Sequence, residues 1–303
     1  MKTLLDNAKL DKDIFFITGD LGFGVVEDFQ NQLPNQFINA GVSEQAMMGM
    51  AAGIASTGKR VFVYSIGNFP TLRCLEQIRN DVCLMNNSVV VVSVGAGYSY
   101  GSQGYTHHAL EDIAIVRALP NMNVYIPCDS VESKAITNFL CKDNSPSYLR
   151  LGKSGEPILH STELIINNNK IIELKNGSDG LILFVGPIGN QALLAAKELE
   201  KRGISVSVAS APVISNLDDD YLIKAAQSGP MITLEEHSFR GGFGSAVLER
   251  LNSLGLQFQL KIIASEQINL SEIGSQAYLQ RSNGLDDKSI VNAFLTLKEN
   301  QKK

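Results

Sequence analysis

Val89-Val90-Val91-Val92-Ser93-Val94 runs directly into Gly95-Ala96-Gly97-Tyr98-Ser99-Tyr100-Gly101-Ser102-Gln103-Gly104-Tyr105-Thr106-His107-His108. A β-branched run with no polar alternation fits a strand buried on both faces, as in a parallel sheet covered by helices. The loop behind it has glycine at 95, 97, 101 and 104 and no apolar period. A loop of that length at the carboxyl end of a buried strand is where α/β proteins place ligand contacts.

Working outward, strands and helices alternate. Ile14 to Thr18 predicts a strand ending on Gly19-Asp20-Leu21-Gly22-Phe23-Gly24, then a short helix near Val26 to Leu33 and a strand at Gln36 to Asn39. A helix from Ser43 to Ser56 and a strand from Val61 to Ser65 follow. Pro70 opens a predicted helix to about Met85, with Leu72, Leu75, Ile78, Val82 and Met85 on its inner face. Beyond the loop come a helix at Asp112 to Leu119, a strand at Asn123 to Ile126, a helix at Ser130 to Lys142 and a strand at Ser147 to Leu151. Residues 153–178 lose the pattern and read as a linker carrying one short hairpin-like piece, with His160 in solvent. A second alternating unit then runs through strands at Leu181, Ser205, Met231 and Leu260 to a polar C-terminal helix. The expectation is a two-domain α/β protein, residues 1–152 and 179–303, each a mainly parallel sheet with helices on both faces.

A net charge of -5 and no basic cluster exclude a general nucleic-acid surface. The start of the chain lacks the layout of a signal peptide, and no apolar run reaches the roughly 20 residues of a membrane helix. Cys74, Cys83, Cys128 and Cys141 have no CxxC spacing and read as reduced, buried thiols of a cytoplasmic protein.

In the helix opened by Ser43, Glu44 is the only formal charge before Lys59; the remainder is mostly Ala, Met, Gly and Ile. Such a helix reads as apolar on every side and buried, with Ser43 as its N-cap and Glu44 at its mouth. A first-turn glutamate complementing the helix dipole accounts for Glu44 equally well on position alone.

Three motifs occur in order and at characteristic spacing: Gly41-Val42-Ser43-Glu44-Gln45-Ala46, the loop ending Gly104-Tyr105-Thr106-His107, and Glu235-Glu236-His237-Ser238 with Gly241-Gly242-Phe243-Gly244-Ser245. Together they resemble the C-terminal portion of a transketolase, its pyrimidine-binding domain plus its C-terminal domain, over nearly the whole chain. The resemblance implies a thiamine diphosphate enzyme that transfers a two-carbon ketol group from a ketose donor to an aldehyde acceptor. It places Glu44 on the aminopyrimidine ring, where a glutamate promotes loss of the thiazolium proton. It puts Phe69 in stacking contact with that ring and Ile66 in the same pocket. Asp20 and Leu21 fall at an Asp-Leu pair touching the cofactor, and Arg73 adds a positive group nearby. His107 matches a histidine at the reacting carbons of the donor, Arg150 a phosphate-binding arginine, and Gln103 a position that reads a sugar hydroxyl. Gly95 and Gly24 stand where phosphate-holding side chains are expected, which implies an unusual acceptor. His237 receives no catalytic part, and His108 is structural or substrate-facing.

The sequence contains no Gly-Asp-Gly followed by an Asn pair, the element that in this family holds the diphosphate through Mg2+ or a similar divalent ion. The resemblance therefore implies a partner subunit carrying that element, in an assembly such as α2β2, with no metal ligand on this chain. Two other enzymes share the layout: the E1 β subunit of a 2-oxo acid dehydrogenase and a deoxyxylulose phosphate synthase-like acyloin former. A catalytically inactive assembly subunit is the non-enzyme alternative.

Overall fold

The computed structural model describes residues 1–166, 170–266 and 269–300. The first domain is a six-stranded, wholly parallel sheet of β1 (Ile14–Thr18), β2 (Phe37–Asn39), β3 (Arg60–Ile66), β4 (Val89–Val94), β5 (Asn123–Tyr125) and β6 (Ser147–Leu151), ordered β2-β1-β3-β4-β6-β5. The valine run is indeed its centre: β4 lies between β3 and β6, with Val89 to Val92 buried. Phe16, Phe62 and Val90 pack toward α1 (Lys2–Leu10), while Ile17, Val61, Val63 and Val91 pack toward the opposite layer. Each valine thus meets a layer on its own side, which is why no polar alternation survives. After α2 (Glu27–Gln32), the strand order reverses between β1 and β3. The carboxyl ends of those strands, at the reversal, are where α/β sheets place ligand contacts.

The helix α3 (Glu44–Ala55) buries Glu44, Met47, Met48, Ala51, Ala52 and Ala55. It is not buried all round: Ala46, Gly49, Met50 and Gly53 form an exposed face. The expected cap also differs, because the Ser43 hydroxyl donates back to Ala40 O at 2.7 Å instead of accepting a first-turn N–H.

The helix expected over residues 70–85 is three pieces: α4 (Asn68–Thr71), α5 (Leu75–Gln77) and a π-helix at Ile78–Leu84. The break at 72–74 and the wider π turn shift the register. Ile78, Val82 and Cys83 therefore face inward, while Leu72 and Met85 lie exposed. The break also turns Arg73 toward α3.

The first domain closes with α6 (Asp112–Arg117) and α7 (Ser130–Leu140). Asp129 caps α7 by accepting the N–H groups of Val131 and Glu132 at 3.0 and 2.9 Å. Its second oxygen accepts from Leu159 N, His160 N and His160 Nδ1 at 2.8, 3.0 and 3.0 Å. His160 is consequently buried and fastened to the first domain, not solvated as its place in a polar stretch suggests.

The second sheet is ordered β11-β10-β8-β9-β7, from β7 (Ile172–Lys175), β8 (Leu181–Phe184), β9 (Ser207–Ser210), β10 (Met231–Ser238) and β11 (Leu260–Ser265). The stretch 153–178, expected as a linker, supplies β7, whose partner is β9 of the second sheet, paired antiparallel, and not a local hairpin strand. Helices α8 (Gly189–Lys201), α9 (Asp219–Ser228) and α10 (Phe243–Ser253) cover this sheet with α11 (Gln276–Ser282) and α12 (Asp287–Asn300). The C-terminal helix is amphipathic rather than simply polar, burying Ile290, Val291 and Phe294. The asparagine cluster 167–169 and the last three residues lie outside the described residues. Among the described residues no helix is long and apolar enough to cross a membrane.

Candidate active site

The expected cofactor residues lie at or just after the carboxyl ends of β1 (Asp20, Leu21), β2 (Glu44) and β3 (Ile66, Phe69, Arg73). Glu44 is only 2% exposed, and its Oε2 accepts from Arg73 Nη1 at 2.6 Å. The Arg73 guanidinium also lies over the Phe69 ring, 4.8 Å from its centroid. Phe69 in turn meets the His107 ring edge-on, with centroids 5.4 Å apart and planes at 71°. Beneath them, burial and then the Glu44 charge push the Cys74 thiol up to about 12, so it serves as packing and not as a nucleophile.

Asp20 and Leu21 form the turn after β1. Asp20 has a left-handed backbone, φ 58°, and a two-way bond with Asn39: its N–H donates to Oδ1 and its Oδ1 accepts from Nδ2, both 3.0 Å. Asn39 Oδ1 also accepts Gly41 N at 3.0 Å, which fixes the entry to α3 and hence the position of Glu44. Ile66 ends β3, half-buried, in register with Val94 at the root of the glycine loop. Asn68 donates to His108 O at 2.6 Å and so ties the segment of Phe69 to that of His107.

His107 is partly exposed, and its Nδ1 lies 3.0 Å from the Thr106 hydroxyl. With the hydroxyl as donor, Nε2 carries the ring proton and is free to donate outward. Gln103 lies exposed in the tight turn Gly101–Gln103. His108 is buried, packed edge-on against Tyr98 with its Nε2 3.3 Å from Gly101 O, which is a structural role.

Arg150 does not belong to this group. It is 1% exposed, and its Nε donates to Asp112 Oδ2 at 2.7 Å. Its Nη2 donates to Asp112 Oδ1, Ala109 O and Glu236 O at 3.2, 2.6 and 3.1 Å. Nε and Nη2 are thus spent inside the protein, which leaves Nη1 alone for the expected contact to substrate phosphate. Burial works to raise the Asp112 carboxyl, but the Arg150 guanidinium and the His237 ring outweigh it and hold it below the usual carboxylate range.

The Glu235-Glu236-His237 motif is buried beside this ion pair rather than at the cofactor residues. Glu235 accepts the N–H groups of Phe243 and Gly244 at 2.6 and 2.8 Å, at the start of α10. A Cβ on Gly242 would come within 2.2 Å of that carboxylate, so the glycine lets the helix end approach it. Burial moves His237 down to about 4, and the neutral ring can donate from Nδ1 to Ser238 O at 2.8 Å.

The site residues suit an aminopyrimidine ring: a buried carboxylate already holding a planar cationic N–H donor, and an aromatic face beside it. Glu44 would hold such a ring by its nitrogen, with Phe69 stacked and Ile66 and Leu21 alongside.

Comparison with known proteins identifies the two domains. Residues 2–156 match the transketolase pyrimidine-binding domain and residues 169–290 the transketolase C-terminal domain. The chain is 35% identical to one of the subunits of an apulose-4-phosphate transketolase from Phocaeicola vulgatus, over 88% of this chain and 86% of that one. It is 33% identical to a 1-deoxy-D-xylulose-5-phosphate synthase of Desulfotalea psychrophila, over 98% of this chain but 47% of that enzyme. A solved split-gene transketolase, described as an inactive β4 tetramer, superposes with a TM-score of 0.88 at 31% identity, covering 98% of this chain and 95% of that one. The two matched domains cover most of the chain, and the chain belongs to the transketolase family and comprises its pyrimidine-binding and C-terminal domains.

Proposed function

We propose that this chain is the second subunit of a split transketolase, transferring a two-carbon ketol group from a ketose to an aldehyde only when joined to a partner. The observation that carries the reading is the cluster of Glu44, Phe69, Arg73 and His107 at the strand ends beside the reversal of the first sheet. It offers a place for the aminopyrimidine half of the cofactor. The relative named as one subunit of a transketolase and the split-gene tetramer described as inactive support the need for a partner. We assign the diphosphate, with Mg2+ or a similar ion, to that partner, in an α2β2 assembly working in cytoplasmic carbohydrate metabolism.

Thiamine diphosphate, when bound, supplies the nucleophilic carbon and the electron sink. Glu44 would exchange its Arg73 partner for the ring nitrogen and hold the proton between its Oε2 and that nitrogen. Phe69 and Ile66 would hold the ring, with Asp20 and Leu21 beside them. His107 donates from Nε2 to the oxygen at which charge develops, and Thr106 holds the tautomer that permits this. Gln103, exposed on the same loop, faces the substrate. Titration of thiamine diphosphate with magnesium tests the partition. The chain alone binds weakly and the reconstituted complex tightly, whereas tight binding by the chain alone sinks the reading.

His107→Ala in the complex lowers kcat by about 10²–10³-fold, the usual cost of one oxyanion donor, with cofactor affinity unchanged. Steady-state kinetics and a cofactor titration check this together.

The open face of α3 is continuous with Glu44 and apolar, and we assign it to the contact between subunits. Gly49→Arg puts a better helix former at a position where a Cβ meets nothing within 4 Å. The variant chain folds with a melting temperature no lower than the wild type's yet fails to assemble, as read by light scattering. Normal assembly would place the contact elsewhere.

The acyloin-forming reading has the synthase similarity in its favour. Pyruvate-dependent turnover by the complex, in place of ketol transfer, would establish it.

A further inference from the structure

The loop carrying His107 is held from the second domain, and much of that hold converges on one carboxylate. Glu236 is 2% exposed at the end of β10. Its Oε1 accepts Tyr98 N at 2.5 Å, from the first limb of the loop. Gln276 donates to Oε1 and Oε2 at 3.0 and 3.2 Å, and Gln280 to Oε2 at 2.5 Å, both from α11. Gly97 has a left-handed backbone, φ 59°, and a Cβ there would come within 2.5 Å of the Glu236 carboxylate. The loop root therefore sits directly on this side chain.

The second limb is tied to the same residue. Arg150 Nη2 donates to Ala109 O and to the main-chain carbonyl of Glu236. Ala109 and Gly97 exchange N–H···O bonds at 3.0 Å, which closes the base of the loop. Farther out, Gly274 N donates to Gly101 O at 3.3 Å, and the Tyr98 hydroxyl meets Ser265 Oγ at 2.6 Å. Burying a carboxylate costs several kcal/mol unless its oxygens are satisfied, and an apolar contact would hold two domains together more cheaply. What four charge-assisted bonds add is direction: they fix Tyr98 N, and with it the loop root, against α11.

We propose that Glu236 is a positioning residue for the reaction, through which the second domain sets where His107 stands over the cofactor half-site. The proposal rests on the transketolase reading given above. Glu236→Gln exchanges one acceptor oxygen for an NH2 group that must face another donor, Tyr98 N–H or a glutamine amide. Glu236→Gln with Gln280→Glu moves the carboxylate across the pair and restores an acceptor for every donor.

The experiment compares the wild type, the single variant and the double variant as complexes with the partner. It measures kcat, KM, thiamine diphosphate affinity, melting temperature and amide deuterium uptake over residues 97–108. In the single variant kcat falls by about 10–100-fold, the scale of a misplaced catalytic group. KM and cofactor affinity stay near wild type, deuterium uptake rises within 97–108 alone, and the double variant recovers both kcat and protection. Wild-type protection of the loop in the single variant overturns the proposal and leaves the transketolase reading intact. Uptake raised across both domains, without recovery in the double variant, shows a general stability role and also overturns it. A loosened loop with unchanged kcat overturns the proposal and the part given to His107 together.

Discussion

Glu44→Ala in the reconstituted complex loses ketol transfer by about 10²–10⁴-fold, the range spanned by a proton-transferring side chain, while the complex still assembles. Glu44 is buried at the start of α3 and makes its ion pair with Arg73, whose side chain is 47% exposed. Removing the carboxylate thus strands no buried charge, because the freed guanidinium turns to water, and the stability cost stays below about 1 kcal/mol. Glu44→Gln separates shape from proton transfer: it fills the same volume and accepts hydrogen bonds but cannot take or give the proton. The glutamine variant therefore binds cofactor better than the alanine variant and turns over as slowly. Single-turnover kinetics with a cofactor titration read both quantities. Turnover near wild type in either variant would remove Glu44 from the mechanism.

Legibility in the sequence follows the distance between partners. The buried strand Val89–Val94 and the glycine loop behind it are readable because backbone burial and loop geometry are written locally. The reading of Glu44 as buried at a helix mouth also holds, since the Met47, Met48 and Ala51 that follow it form the buried face of the helix. Arg150 misleads for the opposite reason. In Tyr148-Leu149-Arg150-Leu151 a charged residue at a strand end looks available to a ligand, but its counter-ion Asp112 lies on α6 and its other partners are the carbonyls of Ala109 and, on β10, Glu236. His160 misleads in the same way, since Asp129 lies 31 residues away. The exposed face of α3 is not legible because small apolar residues look alike whether they face a core or another chain. For Glu235 and Glu236 a signal does exist: two acids directly after the apolar strand Met231–Leu234 must find donors if the strand stays buried. That the donors are the α10 start for one and the His107 loop for the other is visible only in three dimensions.

The internal ion pair of Arg150 has its own consequence, and it is large. Arg150→Met removes the only guanidinium facing Asp112 among the described residues and leaves a wholly buried carboxylate with the Tyr148 hydroxyl and the neutral His237 nearby. Breaking a buried pair from one side costs about 3–5 kcal/mol, because the remaining charge is uncompensated. For a chain of this size that is a drop in melting temperature on the order of 10 °C. Acid distinguishes the cause. In the wild type the folded Asp112 holds its proton more weakly than the unfolded chain does, so its contribution is present above the unfolded value and is lost as pH falls. In the variant, burial is opposed only by the Tyr148 hydroxyl and the His237 ring and lifts Asp112 above the unfolded value of about 3.9, so the folded state gains the proton first. The stability gap between wild type and Arg150→Met therefore narrows as pH is lowered from 7 toward 4. Asp112→Asn added to Arg150→Met closes much of the gap at neutral pH, because no charge remains to be buried. A surface arginine serving substrate phosphate would behave otherwise: its loss would raise KM and leave the melting temperature and its pH dependence where they were. Denaturant or thermal unfolding of the three chains at pH 7 and pH 5 decides between the two.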